Sequence, residues 1–325
     1  MAKKMAHRDH GGGVDNAMLQ WGGNRSDWLD LSTGINPTPY PVPQITDHSW
    51  SALPDTGAQH ALMDAARAFW NVPRGAAILA APGASSIIAR LPAVLGAKSG
   101  AEPKCVDIPA PTYNEHAAAY AAQGWNVSAD AKHTDARVLV HPNNPTGRFW
   151  AASDINGPDA APVTVIDESF CDVAPEQSLI EHAGEDTIIL KSFGKFWGLA
   201  GLRLGFVIAG PKLIARLSDL TGPWAVSGPA LQIGAAALQD TNWATATRAS
   251  LTQEAARLDQ LVCAKGAALV GGCSLFRLYE VDDAAAWQQK LAQRHVWSRI
   301  FPYSKTYLRL GLPASDRWAQ LEAAL

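Results

Sequence analysis

From about Thr56 onward the apolar positions alternate between two periods. Helical spacing runs over Ala58 to Trp70, Ser85 to Leu95 and Asn114 to Gln123, while short β-branched or apolar runs fall at Ala76 to Ala81, near Lys104 to Ile108, and at 137–141, 163–167, 187–191 and 205–209. Strands that alternate with helices predict an α/β fold with a mostly parallel sheet covered on both faces. Residues 1–44 differ: Gly11-Gly12-Gly13, Gly22-Gly23 and Asn36-Pro37-Thr38-Pro39-Tyr40-Pro41 predict an extended arm and not a packed helix. Beyond Gly210 the chain turns to Ala-rich helices at about 227–241 and 243–270, long enough to include a connecting helix. A strand near Ser274 to Val281, a helix near Asp283 to Arg294, a strand near Thr306 to Gly311 and a last helix from Ser315 follow. The expected organisation is a large unit over 45–225 and a smaller α+β unit formed by 1–44 and 226–325.

Composition narrows the possibilities. The 325 residues, 47% hydrophobic and 18% charged, suit a globular protein with one large core and a smaller one. A net charge of −3 leaves no basic footprint for nucleic acid. Cys105, Cys171, Cys263 and Cys273 show no Cys-x-x-Cys spacing, and no apolar run reaches the roughly 20 residues that span a bilayer. With no apolar stretch behind Met1-Ala2-Lys3-Lys4, the expectation is a reduced cytoplasmic protein without membrane contact or metal.

The candidate chemistry gathers at strand ends. Val163-Thr164-Val165-Ile166-Asp167 closes a strand with a carboxylate, and Lys195 lies in the Gly-rich segment Ser192 to Phe206 just beyond Thr187-Ile188-Ile189-Leu190, where an amine is a candidate for imine chemistry. Asn144 sits in His141-Pro142-Asn143-Asn144-Pro145-Thr146-Gly147, Tyr113 follows another strand, and Pro82-Gly83-Ala84-Ser85-Ser86 joins a strand to a helix. Open α/β sheets bind ligands outside the carboxyl ends of their strands, where all of these fall. Free N–H groups and the positive helix end at Gly83 to Ser85 suit a phosphate, although the Walker spacing is absent.

Together these segments resemble the pyridoxal-phosphate (PLP) enzymes of fold type I, the aspartate-aminotransferase superfamily. The resemblance implies a Schiff base at Lys195, pairing of Asp167 with the pyridine nitrogen, a hydrogen bond from Asn144 to the ring hydroxyl and an aromatic ring stacked at Tyr113. It places the cofactor phosphate on Gly83, Ala84, Ser85, Ser192 and Arg203, and it implies a homodimer. Lys191 competes for the Schiff base, but the reactive amine of the family follows the serine by three, which selects Lys195. Two departures stand out: Phe170 where many members carry a tyrosine, and Leu53-Pro54-Asp55 where many carry Tyr-Pro-Asp.

For the substrate, Arg309 matches the arginine that grips a carboxylate, and Arg299 resembles the second arginine of members whose substrate has a phosphate. His10-Gly11-Gly12 and Asp30-Leu31-Ser32-Thr33-Gly34-Ile35-Asn36-Pro37 resemble the start of the branch that decarboxylates threonine phosphate in cobalamin biosynthesis. That branch places His10 near the substrate phosphate and Asn36 near its carboxylate. The implied reaction converts L-threonine O-3-phosphate to (R)-1-amino-2-propanol O-2-phosphate. Transamination of a phosphorylated amino acid such as histidinol phosphate, and a PLP-fold partner protein without turnover, are the alternatives.

Overall fold

The computed structural model describes residues 9–96, 103–129, 134–157 and 160–325. Within the arm, Val14, Ala17, Met18 and Trp21 recur at helical spacing, and Val14–Trp21 forms a helix, correcting the expectation of an unpacked arm. Val14 and Ala17 are buried against Trp28 and Ala292. The glycine-rich flanks hid a single apolar stripe. Strand β1 (Leu29–Asp30) follows it.

The central sheet is built from β2 (Ala77–Ala81), β3 (Cys105–Asp107), β4 (Asn126–Ser128), β5 (Ala136–Val140), β6 (Thr164–Asp167), β7 (Thr187–Ser192) and β8 (Gly205–Ala209). Its order is β2-β8-β7-β6-β5-β3-β4, with β8 antiparallel to both neighbours and the other pairings parallel. Short β4 is mostly exposed, so it lacks the apolar run that marks its neighbours. Alternation along the inner strands sends Val138, Val165, Ile188 and Leu190 to one face and Leu139, Ile166 and Ile189 to the other, each set in its own core cluster.

The C-terminal part contains β9 (Ala268–Cys273), β10 (Phe276–Glu280), β11 (Val296–Trp297), β12 (Arg299–Phe301) and β13 (Ser304–Gly311). Four of these form an antiparallel sheet in the order β12-β13-β10-β9, while β11 pairs in parallel with β1 of the arm. Helices Pro211–Thr221, Gly228–Gln239 and Thr241–Cys263 lead into this region. The last stops well short of 270, because Gly266 at φ +97° turns the chain and Leu269-Val270 continue as strand β9.

Two backbones from different sheets meet directly beside the Asn144 turn. A Cβ on Gly147 would lie 2.1 Å from the Gly272 carbonyl oxygen, and the Gly272 N–H donates to the Thr146 carbonyl at 3.0 Å. Both glycines have positive φ, +73° and +134°.

Candidate active site

Strand alternation decides which lysine faces the site. Asp167 shares the face of Val165 and so reaches the helix Asn114–Ala122, while Glu168 and Lys191 point to the opposite face with Ile166 and Ile189. There the Lys191 ammonium lies 2.6 Å from Glu168 and 3.4 Å from Asp172, with all three groups buried. Burial opposes its charge, yet the two carboxylates push its pKa above the ordinary lysine value. Lys191 is thus locked as a structural cation.

Lys195 leaves the sheet beyond β7 and turns back into the cleft, where its amine lies 5.2 Å from the centre of the Phe170 ring. Burial, with Arg309 and Arg203 adding like charge and Asp167 opposing them, brings its pKa down to about 8. Near neutrality about a tenth of this amine is then a free base, far more than for an ordinary lysine, and ready for nucleophilic attack.

Asp167 is held as an anion. Burial alone would raise its pKa, but His116 Nε2 at 2.8 Å, the Ser169 hydroxyl at 2.5 Å and the Ser169 N–H at 3.0 Å bring it below the usual carboxylate value. His116 was not among the residues singled out from the sequence. A lone histidine one turn into a helix carries little signal until the helix is known to cross the end of β6.

The anion cradle is a strand-to-helix turn. Gly83 takes φ +83°, and the helix Ala84–Gly96 begins next, so the first-turn N–H groups of Ala84 and Ser85 lack intrahelical partners. Arg203 donates to the Ser85 hydroxyl at 3.1 Å, and a Cβ on Gly83 would lie 2.5 Å from its guanidinium. Gly205 packs so closely that its Cβ would lie 2.3 Å from the Ala84 nitrogen. The cradle, Ser192, Lys195, Asp167, Asn144 and the Tyr113 ring line one cavity of about 160 Å³. This donor set fits a phosphorylated aromatic cofactor: a phosphate at the helix start, a carboxylate for a ring cation, and an amine between them.

A second cavity of about 320 Å³ shares Lys195, Tyr113, Asn144 and Phe170 and adds His10, Arg299 and Arg309. Arg309 is buried, donates to the Asn144 side-chain oxygen and to the Ser32 carbonyl at 2.6 Å, and leaves its Nε without a partner. Burial and the charge of Arg299 depress its pKa to about 10. Arg299 grips Asp9 with both terminal nitrogens at 2.6 Å, and His10 Nε2 lies 2.8 Å from Glu115. Asp9 is a second residue that the sequence did not reveal.

Asn36 lies elsewhere: buried, it receives the Thr38 N–H at 2.9 Å and donates to the Phe196 carbonyl at 2.8 Å, so it ties the arm to the Lys195 loop. Phe170 packs edge-on to Phe276, with ring centres 5.0 Å apart, and a Cβ on Gly34 would lie 2.9 Å from it. Among the described residues His141, Glu168 and Cys171 converge within 4.8 Å, but their polar atoms are engaged by protein. Gln177 and Trp150 hold His141, and Ser178, Leu179 and Lys191 hold Glu168.

Comparison with known proteins agrees with this geometry. The model of the family described as aminotransferase class I and II matches residues 26–325. A threonine-phosphate decarboxylase of Sinorhizobium sp is 40% identical over 324 residues, 95% of either chain. Another, of Pseudomonas aeruginosa, is 34% identical over 332 residues, 98% of this chain and 97% of its own. Among solved structures, histidinol-phosphate aminotransferase from Sinorhizobium meliloti in complex with pyridoxal-5'-phosphate superposes with a TM-score of 0.81 over 96% of this chain and 92% of its own. At 17% identity that likeness speaks for the fold alone. The chain belongs to the class I and II aminotransferase family.

Proposed function

We propose that the protein is a PLP-dependent lyase that decarboxylates L-threonine O-3-phosphate to (R)-1-amino-2-propanol O-2-phosphate. The observation that carries this reading is that Arg309 and Arg299 line the same cavity as Lys195. Two guanidinium groups beside one amine select an amino acid with a second, distal anion. The threonine-phosphate decarboxylases at 40% and 34% identity support the choice of substrate and reaction.

Bound PLP supplies an aldehyde for the substrate amine and a protonated ring that accepts electrons from a breaking Cα bond. Gly83, Ala84, Ser85, Ser192 and Arg203 would hold its phosphate, Tyr113 its ring face and Asn144 its hydroxyl. Asp167, kept ionised by His116 and Ser169, would hold the proton on the ring nitrogen. Lys195 would hold the aldehyde end of the cofactor and, once free, would be the acid that supplies a proton at Cα. Arg309 orients the carboxylate so that its bond to Cα is the one cleaved, while Arg299 and His10 take the distal phosphate. In this scheme Asn36 serves the carboxylate end by fixing the Lys195 loop.

Residues 45–225 would form the PLP-binding domain, and 1–44 with 226–325 the arm and small α+β domain. The chain would be a homodimer, with exposed Trp50 and Leu53 as candidates for its interface, and a cytoplasmic enzyme of cobalamin biosynthesis, in keeping with its four free cysteines. Among the described residues no helix is long and apolar enough to cross a membrane.

Incubating the purified protein with PLP and O-phospho-L-threonine tests the proposal. CO2 release without a 2-oxoacid acceptor is the expected outcome. Keto product that depends on such an acceptor would identify an aminotransferase instead, and a cofactor spectrum unmoved by any amino acid would identify a non-catalytic partner.

A further inference from the structure

Arg299 already holds an anion, and the anion comes from the chain itself. Both Asp9 carboxylate oxygens sit 2.6 Å from its terminal nitrogens, a fork-to-carboxylate pairing like that of guanidinium with two phosphate oxygens. The two partners are placed unequally: the Arg299 side chain is 13% exposed and that of Asp9 41%. The cation is sunk in the wall, whereas the carboxylate reaches in from outside and has solvent to return to.

The backbone around Asp9 is clipped independently of its carboxylate. Asn114 Nδ2 donates to the Asp9 carbonyl at 2.8 Å, Arg299 donates to the His10 carbonyl at 2.9 Å, and the Gly12 N–H donates to the Ser32 hydroxyl at 2.7 Å. Gly11 fits because a Cβ there would lie 2.3 Å from the Ser32 carbonyl oxygen. A rotation of the Asp9 side chain can therefore release Arg299 from its carboxylate while Arg299 still donates to the His10 carbonyl and the arm stays in register. Charge gives the reason for the pairing: Arg299, Arg309 and Lys195 line one cavity, and Asp9 offsets part of that positive charge until a ligand does so.

We propose that Asp9 is an internal stand-in for the distal anion of the substrate, occupying Arg299 until a phosphate displaces it, and so setting how strongly phosphate-bearing ligands bind. The inference rests on the assignment of Arg299 to the distal phosphate. It adds a residue that determines specificity without touching the reacting atoms. An internal competitor weakens every ligand that must displace it by one common factor, and leaves alone a ligand that engages only Arg309.

The test titrates the full-length PLP-loaded protein by calorimetry with inorganic phosphate and, separately, with L-alanine, which has a carboxylate for Arg309 and nothing to reach Arg299. Asp9→Asn is expected to bind phosphate roughly two- to fivefold more tightly than wild type, the range for releasing a partly exposed ion pair, with L-alanine affinity unchanged. Asp9→Glu should stay near wild type, and in an Arg299→Met background the Asp9→Asn change should have no effect on phosphate. Phosphate binding that is unchanged or weaker in Asp9→Asn would overturn the proposal, as would an equal shift for L-alanine. Because phosphate binding is read without turnover, failure to decarboxylate O-phosphothreonine would refute the reaction assignment and leave this result standing.

Discussion

The residue proposed to carry the chemistry is a buried amine, Lys195, whose charge its surroundings disfavour. Lys195 is protonated below about 8 and neutral above it, because burial and two guanidinium groups outweigh Asp167. The sign follows directly: its reactivity rises as pH climbs through about 8, well before an ordinary lysine responds. Acylation of the cofactor-free chain, followed by peptide mapping across pH, should show Lys195 labelling with a midpoint near 8 and Lys191 protected throughout. In Arg309→Met that midpoint should move upward; a midpoint near 10 in the wild type would show that the amine is solvated. Lys195 and Asp167 were legible in the sequence because Asp167 closes one strand and Lys195 follows another, each strand announced by its apolar run. His116 and Asp9 were not, since each acquires meaning only from a partner 51 or 290 residues away.

Among the elements, β8 makes one of the close approaches that only glycine permits, against the candidate anion cradle. Replacing Gly205 by Ala puts a Cβ about 2.3 Å from the Ala84 nitrogen, so the first turn of the helix Ala84–Gly96 must shift. The change is expected to weaken PLP binding tenfold or more in a fluorescence titration, with the far-UV spectrum of the chain retained. Unchanged affinity would show that the cradle does not depend on this contact. Most elements were readable to within a residue or two: the predicted 205–209 is β8 itself, and Ala58 to Trp70 is the helix Thr56–Phe69. Two misreadings have different causes. Alanine is common in helices and tolerated in strands, so an Ala-rich helix read to 270 ran past Gly266 into β9. Conversely, in Val14–Trp21 the stripe is only two turns long and is flanked by glycines.

For the whole molecule, the seven-stranded sheet and the smaller antiparallel one follow from the change in pattern beyond Gly210, whereas the surface carries a feature that no periodicity reports. Trp50 and Leu53, three positions apart, are 70% and 65% exposed. If they belong to the face of a homodimer, Trp50→Glu with Leu53→Glu should yield a monomer by sedimentation velocity. A wild-type chain that sediments as a monomer would remove that assembly from the proposal.

The meeting of Gly147 and Gly272 carries a consequence for how the cleft works. With no side chain between them, the Asn144 turn and strand β9 pack backbone against backbone, and Arg309 on β13 donates to the Asn144 side chain. A shift of the C-terminal sheet would then act on the Asn144 turn through both contacts, coupling the residue proposed for the ring hydroxyl to the one proposed for the substrate carboxylate.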